Sequence, residues 1–222
     1  MMILKFKSWC GAIGLAMLLP FCFNVHAQDI EKTKEQFLHA VLLDNVSEVE
    51  RYLRAGGDPN VANAAGDPAL VVAMREDSPR SREVLLTHPN INVDARSQKG
   101  ETALMIAAYK GEQTWVDRLL KRQARVDNAD GWTALHYAAI QGYAAIVDEL
   151  LKFGATANKA APGGITPLML AARGGHVDVV KLLIKQGADE RLANDRGMRA
   201  AEFARQHGHT ALAEALEKRL NP

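Results

Sequence analysis

Cysteine is nearly absent from this chain of 222 residues, and both cysteines, Cys10 and Cys22, lie within the first 27 positions. The remainder of the sequence therefore has no thiol that forms a disulfide or acts as a nucleophile. It also lacks an H-E-x-x-H pair, a G-x-S-x-G elbow, a phosphate-binding glycine loop and a dinucleotide fingerprint. These absences argue against an enzyme, and we expect no catalytic residue, no cofactor and no metal ion.

An excess of charge of either sign is also missing. The chain has 27 Lys and Arg against 26 Asp and Glu, and without the first 27 residues, which hold two lysines and no acid, the balance is 25 against 26. Nucleic-acid binding usually requires a strongly basic face. We therefore expect no nucleic-acid partner.

A long uncharged apolar run, Trp9 to Phe23, lies near the start of the chain and follows Lys5 and Lys7. Its 15 residues are fewer than the roughly 20 that a helix needs to cross a bilayer. The segment Val25-His26-Ala27 then supplies the small residues of a cleavage site. This layout predicts a signal peptide over residues 1–27, cleaved after Ala27, and a periplasmic protein with no stable membrane insertion. A retained anchor and extracellular release are the alternatives.

The sequence does contain a period. Around five glycines the same residue types return at the same offsets, including a second glycine eleven residues later in the last four blocks and an apolar pair at offsets 19 and 20. A period near 33 indicates a stack of small units, each of which contacts its neighbours. The five glycines, at intervals of 34, 31, 33 and 33 residues, are Gly66, Gly100, Gly131, Gly164 and Gly197.

Several short motifs fill the repeated unit. They are Thr166-Pro167-Leu168, Thr133-Ala134-Leu135-His136, Ala171-Ala172, Gly175-His176 and Val179-Val180-Lys181-Leu182-Leu183. With these motifs the unit resembles the ankyrin repeat. The resemblance extends from about Glu31 to Arg219 and implies an all-α solenoid of stacked helix-turn-helix units with β-turn fingers, about six repeats including two diverged caps, in a domain of residues 28–222. The approximate repeats are 31–61, 62–94, 95–127, 128–158, 159–191 and 192–219.

Local chemistry agrees with this resemblance. Thr166 is a good N-cap, and Pro167 follows at the first helical position, where a missing N–H has no cost. Alanine pairs let neighbouring helices approach closely, and the second glycine of each block suits a left-handed helix end. We expect fingers near Asn60–Gly66, Val93–Gly100, Val126–Gly131, Asn158–Gly164 and Arg191–Gly197.

The second repeat is irregular. Asp77-Ser78-Pro79 replaces its glycine turn, and His88-Pro89-Asn90 replaces the Gly-Ala that ends other units. We expect the weakest interface or a local insertion there.

The resemblance implies that partners bind along the fingers and inner helices. Tyr109 and Trp132 stand out because aromatic side chains dominate interface hot spots, although Trp132 also suits packing against the neighbouring finger. The predicted partner-binding residues are Lys99, Glu101, Tyr109, Lys110, Asp130, Trp132, Ile140, Gln141, Ile165, Arg173 and Met198.

Two other features each allow a purely structural and a functional interpretation. The basic run of Arg118, Lys121, Arg122 and Arg125 suits a solvated convex face, with an anionic envelope surface as the alternative. His207 and His209 form the one paired arrangement that resembles a metal ligand set, but no further ligand has an evident reason to join them.

These observations favour a monomeric, exported protein that binds a protein partner through the concave face implied by the resemblance. Two specific roles follow from analogy: an accessory to envelope or oxidative-stress proteins, or an immunity protein that neutralises a toxin delivered to the periplasm. A metal- or ligand-handling protein that uses His207 and His209 is the third alternative.

Overall fold

A computed structural model describes residues 33–128 and 131–220, so the segment that holds the predicted signal peptide lies outside it. The described residues form twelve helices in six consecutive pairs and no extended strand, which confirms the prediction of an all-α solenoid. We call the first helix of each pair inner and the second outer. The pairs are α1 (33–42) with α2 (Val46–Arg54), α3 (Ala69–Arg75) with α4 (Pro79–Thr87), α5 (Ala103–Lys110) with α6 (Gln113–Lys121), α7 (Ala134–Gln141) with α8 (Ala144–Lys152), α9 (Pro167–Arg173) with α10 (Val177–Lys185), and α11 (Ala200–Gln206) with α12 (Thr210–Leu220).

The inner helices pack side by side, α5 on α7, α7 on α9 and α9 on α11, and each outer helix packs on its own inner helix. One apolar cluster runs through all the repeats, from Phe37 in α1 to Leu216 in α12. Its centre is built from alanine pairs with no exposed surface, which confirms the predicted close approach of the helices. These pairs are Ala107-Ala108, Ala138-Ala139 and Ala171-Ala172.

The helix ends have the predicted chemistry. The Thr166 hydroxyl accepts a hydrogen bond from the Met169 N–H at 3.4 Å, and α9 begins at Pro167. Gly111 and Gly142 end α5 and α7 with φ of 74° and 79°, the left-handed region that favours glycine.

The fingers are β-turns closed by N–H to carbonyl hydrogen bonds of 2.8 to 3.0 Å, as predicted. In two of them an asparagine at the first turn position, Asn63 or Asn194, accepts further bonds from the N–H groups two and four residues later. The remaining predicted finger, 126–131, includes two positions outside the described residues. The four described turns span residues 63–66, 97–100, 161–164 and 194–197.

The predicted insertion in the second repeat is wrong. Helices α3 and α4 match the helices of other repeats in length, and Asp77 takes the place of the turn glycine with φ of 56°. Helix α3 does pack less extensively on α5 than α5 packs on α7. Charged side chains bridge this junction.

Arg82 is the centre of that bridge, and its side chain is only 3% exposed. Its guanidinium donates to the carbonyls of Ala73 and Met74 at 2.9 Å, which closes the C-terminal end of α3. It also bonds the carboxylates of Asp77 and Glu112 at 2.7 Å, and Glu112 belongs to the next repeat. In later repeats the same position holds the buried valines Val116, Val147 and Val180.

Each residue of the outer basic run bonds an acid or a carbonyl within the fold, which agrees with a solvated convex face. The guanidinium groups of Arg82 and Arg118 both contact the Trp115 ring, 5.5 and 4.7 Å from its centroid. Arg118 is also paired with Glu83. The remaining bonds are Lys121 to Asp117 at 2.7 Å, Arg122 to the His88 carbonyl at 3.1 Å and Arg125 to Asp94 at 3.5 Å. In the described part of the chain no helix is long and apolar enough to span a bilayer.

Replacement of Arg82 by alanine should lower the free energy of unfolding by about 2–4 kcal/mol, because two helix-end carbonyls lose their donor and two carboxylates lose their partner. Urea unfolding followed by circular dichroism measures this change. Arg54→Ala, which removes an exposed pair with Glu50, is the control and should cost about 1 kcal/mol or less. Equal losses in the two variants would contradict the bridging function of Arg82.

His136 joins the fourth repeat to the fifth. Its Nδ1 accepts from the Thr133 N–H at 3.2 Å, and its Nε2–H donates to the Ile165 carbonyl at 3.1 Å. The imidazole is fully buried, and this burial lowers its pKa, although hydrogen bonds to backbone carbonyls and the charge of Asp127 act in the opposite direction.

The free energy of unfolding should therefore fall as the pH drops below about 6.5, because the unfolded chain binds a proton at this imidazole more readily than the folded chain does. Denaturant titrations at pH 7.5 and 5.5 measure the change. In His136→Gln the protein should be less stable at both values but should lose less stability between them. An undiminished pH dependence in that variant would show that His136 is not its source.

Candidate protein-binding face

Two residues from each of the last five repeats are placed side by side along the inner surface of the stack. One follows the turn glycine of a finger, and the other lies at the end of the following inner helix. We call this surface the inner face. Its finger positions are Asp67, Glu101, Trp132, Ile165 and Met198, and its helix-end positions are Arg75, Tyr109, Ile140, Arg173 and Gln206.

Three aromatic side chains meet in the middle of the inner face. The rings of Tyr109 and Tyr137 form an edge-on contact with centroids 5.9 Å apart, and the ring of Trp132 lies 5.9 Å from that of Tyr137. Trp132 also contacts His136 at 5.5 Å. We call Tyr109, Tyr137 and Trp132 the aromatic cluster. Tyr109 is 51% exposed and the other two are half-buried, so the cluster presents aromatic surface to solvent.

The sequence prediction included Tyr109 and Trp132 but missed Tyr137. In the other repeats the equivalent residues are Val72, Ile106, Leu170 and Phe203, all buried, so the repeat pattern marks this position as core. Burial raises the pKa of the Tyr137 phenol, with smaller contributions from Glu101 and Tyr109, and keeps it neutral. Only the structure shows that Tyr137 belongs to the inner face, because it places Tyr109 of the preceding repeat against the Tyr137 ring.

At the N-terminal side of the cluster the charges are satisfied within the fold. Arg75 is paired with Asp67 and donates to Glu101 at 2.8 Å. The Lys110 ammonium donates to the Arg75 carbonyl and to Asp77, both at 2.8 Å. Glu101 and Lys110, two of the predicted partner-binding residues, are therefore engaged in bonds between the second and third repeats.

At the C-terminal side a cavity of about 530 Å³ opens between the last two fingers. It brings together Ile165, Arg173 and Met198, three predicted residues from two repeats. Phe203 adds apolar surface, and Arg196 adds a second guanidinium. This arrangement combines apolar walls with two cations.

The other predicted residues have less specific surroundings. Lys99 is exposed in the β-turn at 97–100, and Gln141 is half-buried. The Ile140 carbonyl accepts from His176 Nε2 at 2.9 Å, while its side chain is half-buried. Asp130 lies outside the described residues.

Two further concave regions were not predicted. A cavity of about 610 Å³ lies between α1 and α3, with Leu38, Leu42 and Val72 in its lining. A groove of about 470 Å³ runs between the outer helices α10 and α12. The sequence of the first repeat is too diverged to show which of its residues belong to the inner face. The cavity between α1 and α3 therefore could not be predicted from the sequence.

The paired histidines have bonds within their own repeat or the one before it. The His207 Nδ1–H donates to the Phe203 carbonyl at 2.9 Å, and the His209 ring packs against Gly175. Across residues 33–128 and 131–220, no three His, Cys, Asp or Glu side chains come together to hold a metal ion. This geometry does not favour the metal-handling alternative.

Comparison with known proteins agrees with the fold. The family model described as ankyrin repeats (3 copies) matches residues 83–161 and 146–221. The chain is also 37% identical over 93 residues to the human neurogenic locus notch homolog protein 4, a match that covers 41% of this chain and 5% of that protein. With its stacked helix pairs and this family match, the chain belongs to the ankyrin repeat family, whose repeats are protein–protein interaction modules.

Proposed function

We propose that this protein is exported to the periplasm and acts there by binding a protein partner along the inner face. The observation that supports the binding site is the aromatic cluster, which places exposed Tyr109 beside two half-buried rings. Tyrosine and tryptophan are enriched at interface hot spots because each combines a large apolar surface with a polar group.

The charges on the two sides of the stack support this choice of face. The outer basic residues of the third repeat already bond acids or carbonyls within the chain. The opposite charges of each ion pair partly cancel, which reduces the net positive charge that this part of the outer face presents. The inner face, in contrast, offers aromatic surface and the cavity between the last two fingers.

The order of features before residue 28 supports export. A basic start, an uncharged apolar run and small residues before Gln28 are the three parts of a secretory signal. The absence of cysteine after Cys22 suits an oxidising compartment, because such a chain cannot form wrong disulfides there. Within this proposal, the partner is an envelope protein that the stack supports.

A Tyr109→Ala, Trp132→Ala double variant should lose its partner. Truncation of hot-spot aromatic residues that a partner buries costs about 2–4 kcal/mol of binding free energy. Crosslinked capture with the tagged protein from its native envelope fraction, followed by a titration with the purified partner, measures this loss. Phe153→Ala is the matched control, since it removes a 49% exposed aromatic that follows the outer helix α8. Circular dichroism should show unchanged folding in both variants.

Undiminished binding by a folded double variant would move the interface away from the aromatic cluster. Loss of binding by Phe153→Ala would place the interface near the end of α8 instead. A capture that recovers no specific protein with any of the three forms would contradict the proposed function.

The protein that accumulates in Gram-negative cells should begin at Gln28 and leave the cytoplasm. Intact-mass measurement of protein released by osmotic shock tests both points. Replacing Ala27 with a bulky residue should block cleavage and leave the precursor mass. Protein that begins at Met1 and remains with the cytoplasmic fraction would contradict export.

A further inference from the structure

Arg75 and Arg173 occupy the same position in two repeats but have different surroundings. Each lies at the end of an inner helix, nine residues after a turn glycine. Arg75 is neutralised by the finger residue of its own repeat, Asp67, and by that of the next repeat, Glu101. The finger residues equivalent to these two acids around Arg173 are Ile165 and Met198.

These apolar finger residues offer Arg173 no carboxylate, and its side chain bonds no acid among the described residues. Most arginines in the described part of the chain bond an acid or a carbonyl, but the side chains of Arg173, Arg191 and Arg196 have no acceptor there. Two of these three, Arg173 and Arg196, line the same cavity of about 530 Å³. Two of the three arginines without an acceptor in the described residues are thus placed together at one cavity.

The lining of this cavity defines the chemistry that fits it. Ile165, Met198 and Phe203 provide apolar walls, and the Gln206 amide donates to the Met198 sulfur at 3.1 Å. Asp195 is the acid in the lining, so the two arginines leave an excess of positive charge. A guanidinium beside apolar surface binds a carboxylate well, because partial removal of water strengthens the interaction.

We propose that this cavity binds an aspartate or glutamate side chain of the partner, next to an apolar residue that enters between Ile165, Met198 and Phe203. The partner's carboxylate then takes the place that Asp67 and Glu101 have beside Arg75. This inference depends on the proposed protein-binding function and adds the chemistry of one contact.

Selection of random peptides displayed on phage against the full purified protein tests this inference. The enriched sequences should contain Asp or Glu adjacent to an apolar residue. Enriched peptides are then synthesised with amidated C-termini, so that only side-chain carboxylates remain, and their dissociation constants are measured by fluorescence polarisation. Each peptide is paired with a form in which Glu is replaced by Gln or Asp by Asn.

Arg173→Gln with Arg196→Gln should weaken peptide binding about tenfold or more, the scale of a charge-assisted hydrogen bond. Neutralising the peptide's acid should cause a similar loss, and combining both changes should add little, because both remove the same interaction. Arg191→Gln is the matched control. It removes an exposed arginine that also lacks an acceptor in the described residues but does not line this cavity, and it should leave binding unchanged.

Three outcomes would overturn the inference. Peptides without enriched acids would do so, as would losses that simply add, or an equal loss in Arg191→Gln. If peptides lose affinity in the Tyr109→Ala, Trp132→Ala variant but are indifferent to Arg173 and Arg196, the proposed function stands and the acidic contact is wrong. If no peptide is enriched above background, the acidic contact is contradicted, whereas the proposed function is decided by the crosslinked capture.

Discussion

Neighbouring inner helices approach one another through pairs of fully buried alanines, and the register of the whole stack follows from that contact. Larger side chains at Ala138 or Ala139 would separate α5, α7 and α9 and leave voids that the rest of the core cannot fill. Because the inner helices are held in register, equivalent positions in successive repeats become neighbours. The inner face is therefore built from residues about one repeat apart in sequence, and each of its contacts depends on helix packing rather than on a local motif.

Several turn glycines add a second constraint, because each of them accommodates a side chain from the next repeat. These glycines are Gly66, Gly111, Gly142, Gly164 and Gly175. A Cβ on Gly111 would lie 2.6 Å from the Tyr143 ring, in addition to the strain of φ 74°. The second repeat uses Asp77 at this turn position instead, and its carboxylate bonds both Arg82 and Lys110. The loss of a glycine is thus linked to a charged junction, because the same turn now supplies an acid. Apolar packing between α3 and α5 is reduced there, and the buried guanidinium joins the repeats in its place.

The sequence was sufficient to predict features that recur, and insufficient for those that occur once. The glycine period, the threonine caps and the alanine pairs follow from local chemistry that several repeats share. The burial of Arg82 could not be predicted in this way. The repeat pattern assigns an apolar residue to this position, so an arginine there indicates only a departure from the pattern. Tyr137 was missed for the same reason. Single residues that depart from the repeat gain their function from neighbours one repeat away, and only the stacked structure identifies those neighbours.

The balanced composition of the chain conceals an uneven distribution of available charge. Arg75, Lys110 and Arg118 form ion pairs within the chain. Each acid offsets the positive charge of its partner, so these three residues add little to the electrostatic potential at the surface. The difference between Arg75 and Arg173 comes from two finger residues, which are acids in one case and apolar in the other. A small change in finger composition therefore converts a structural arginine into one that is free to bind. In a repeat protein, this exchange allows a surface to acquire specificity without any change in its helices, because the finger positions lie outside the buried alanine contacts that hold the stack together.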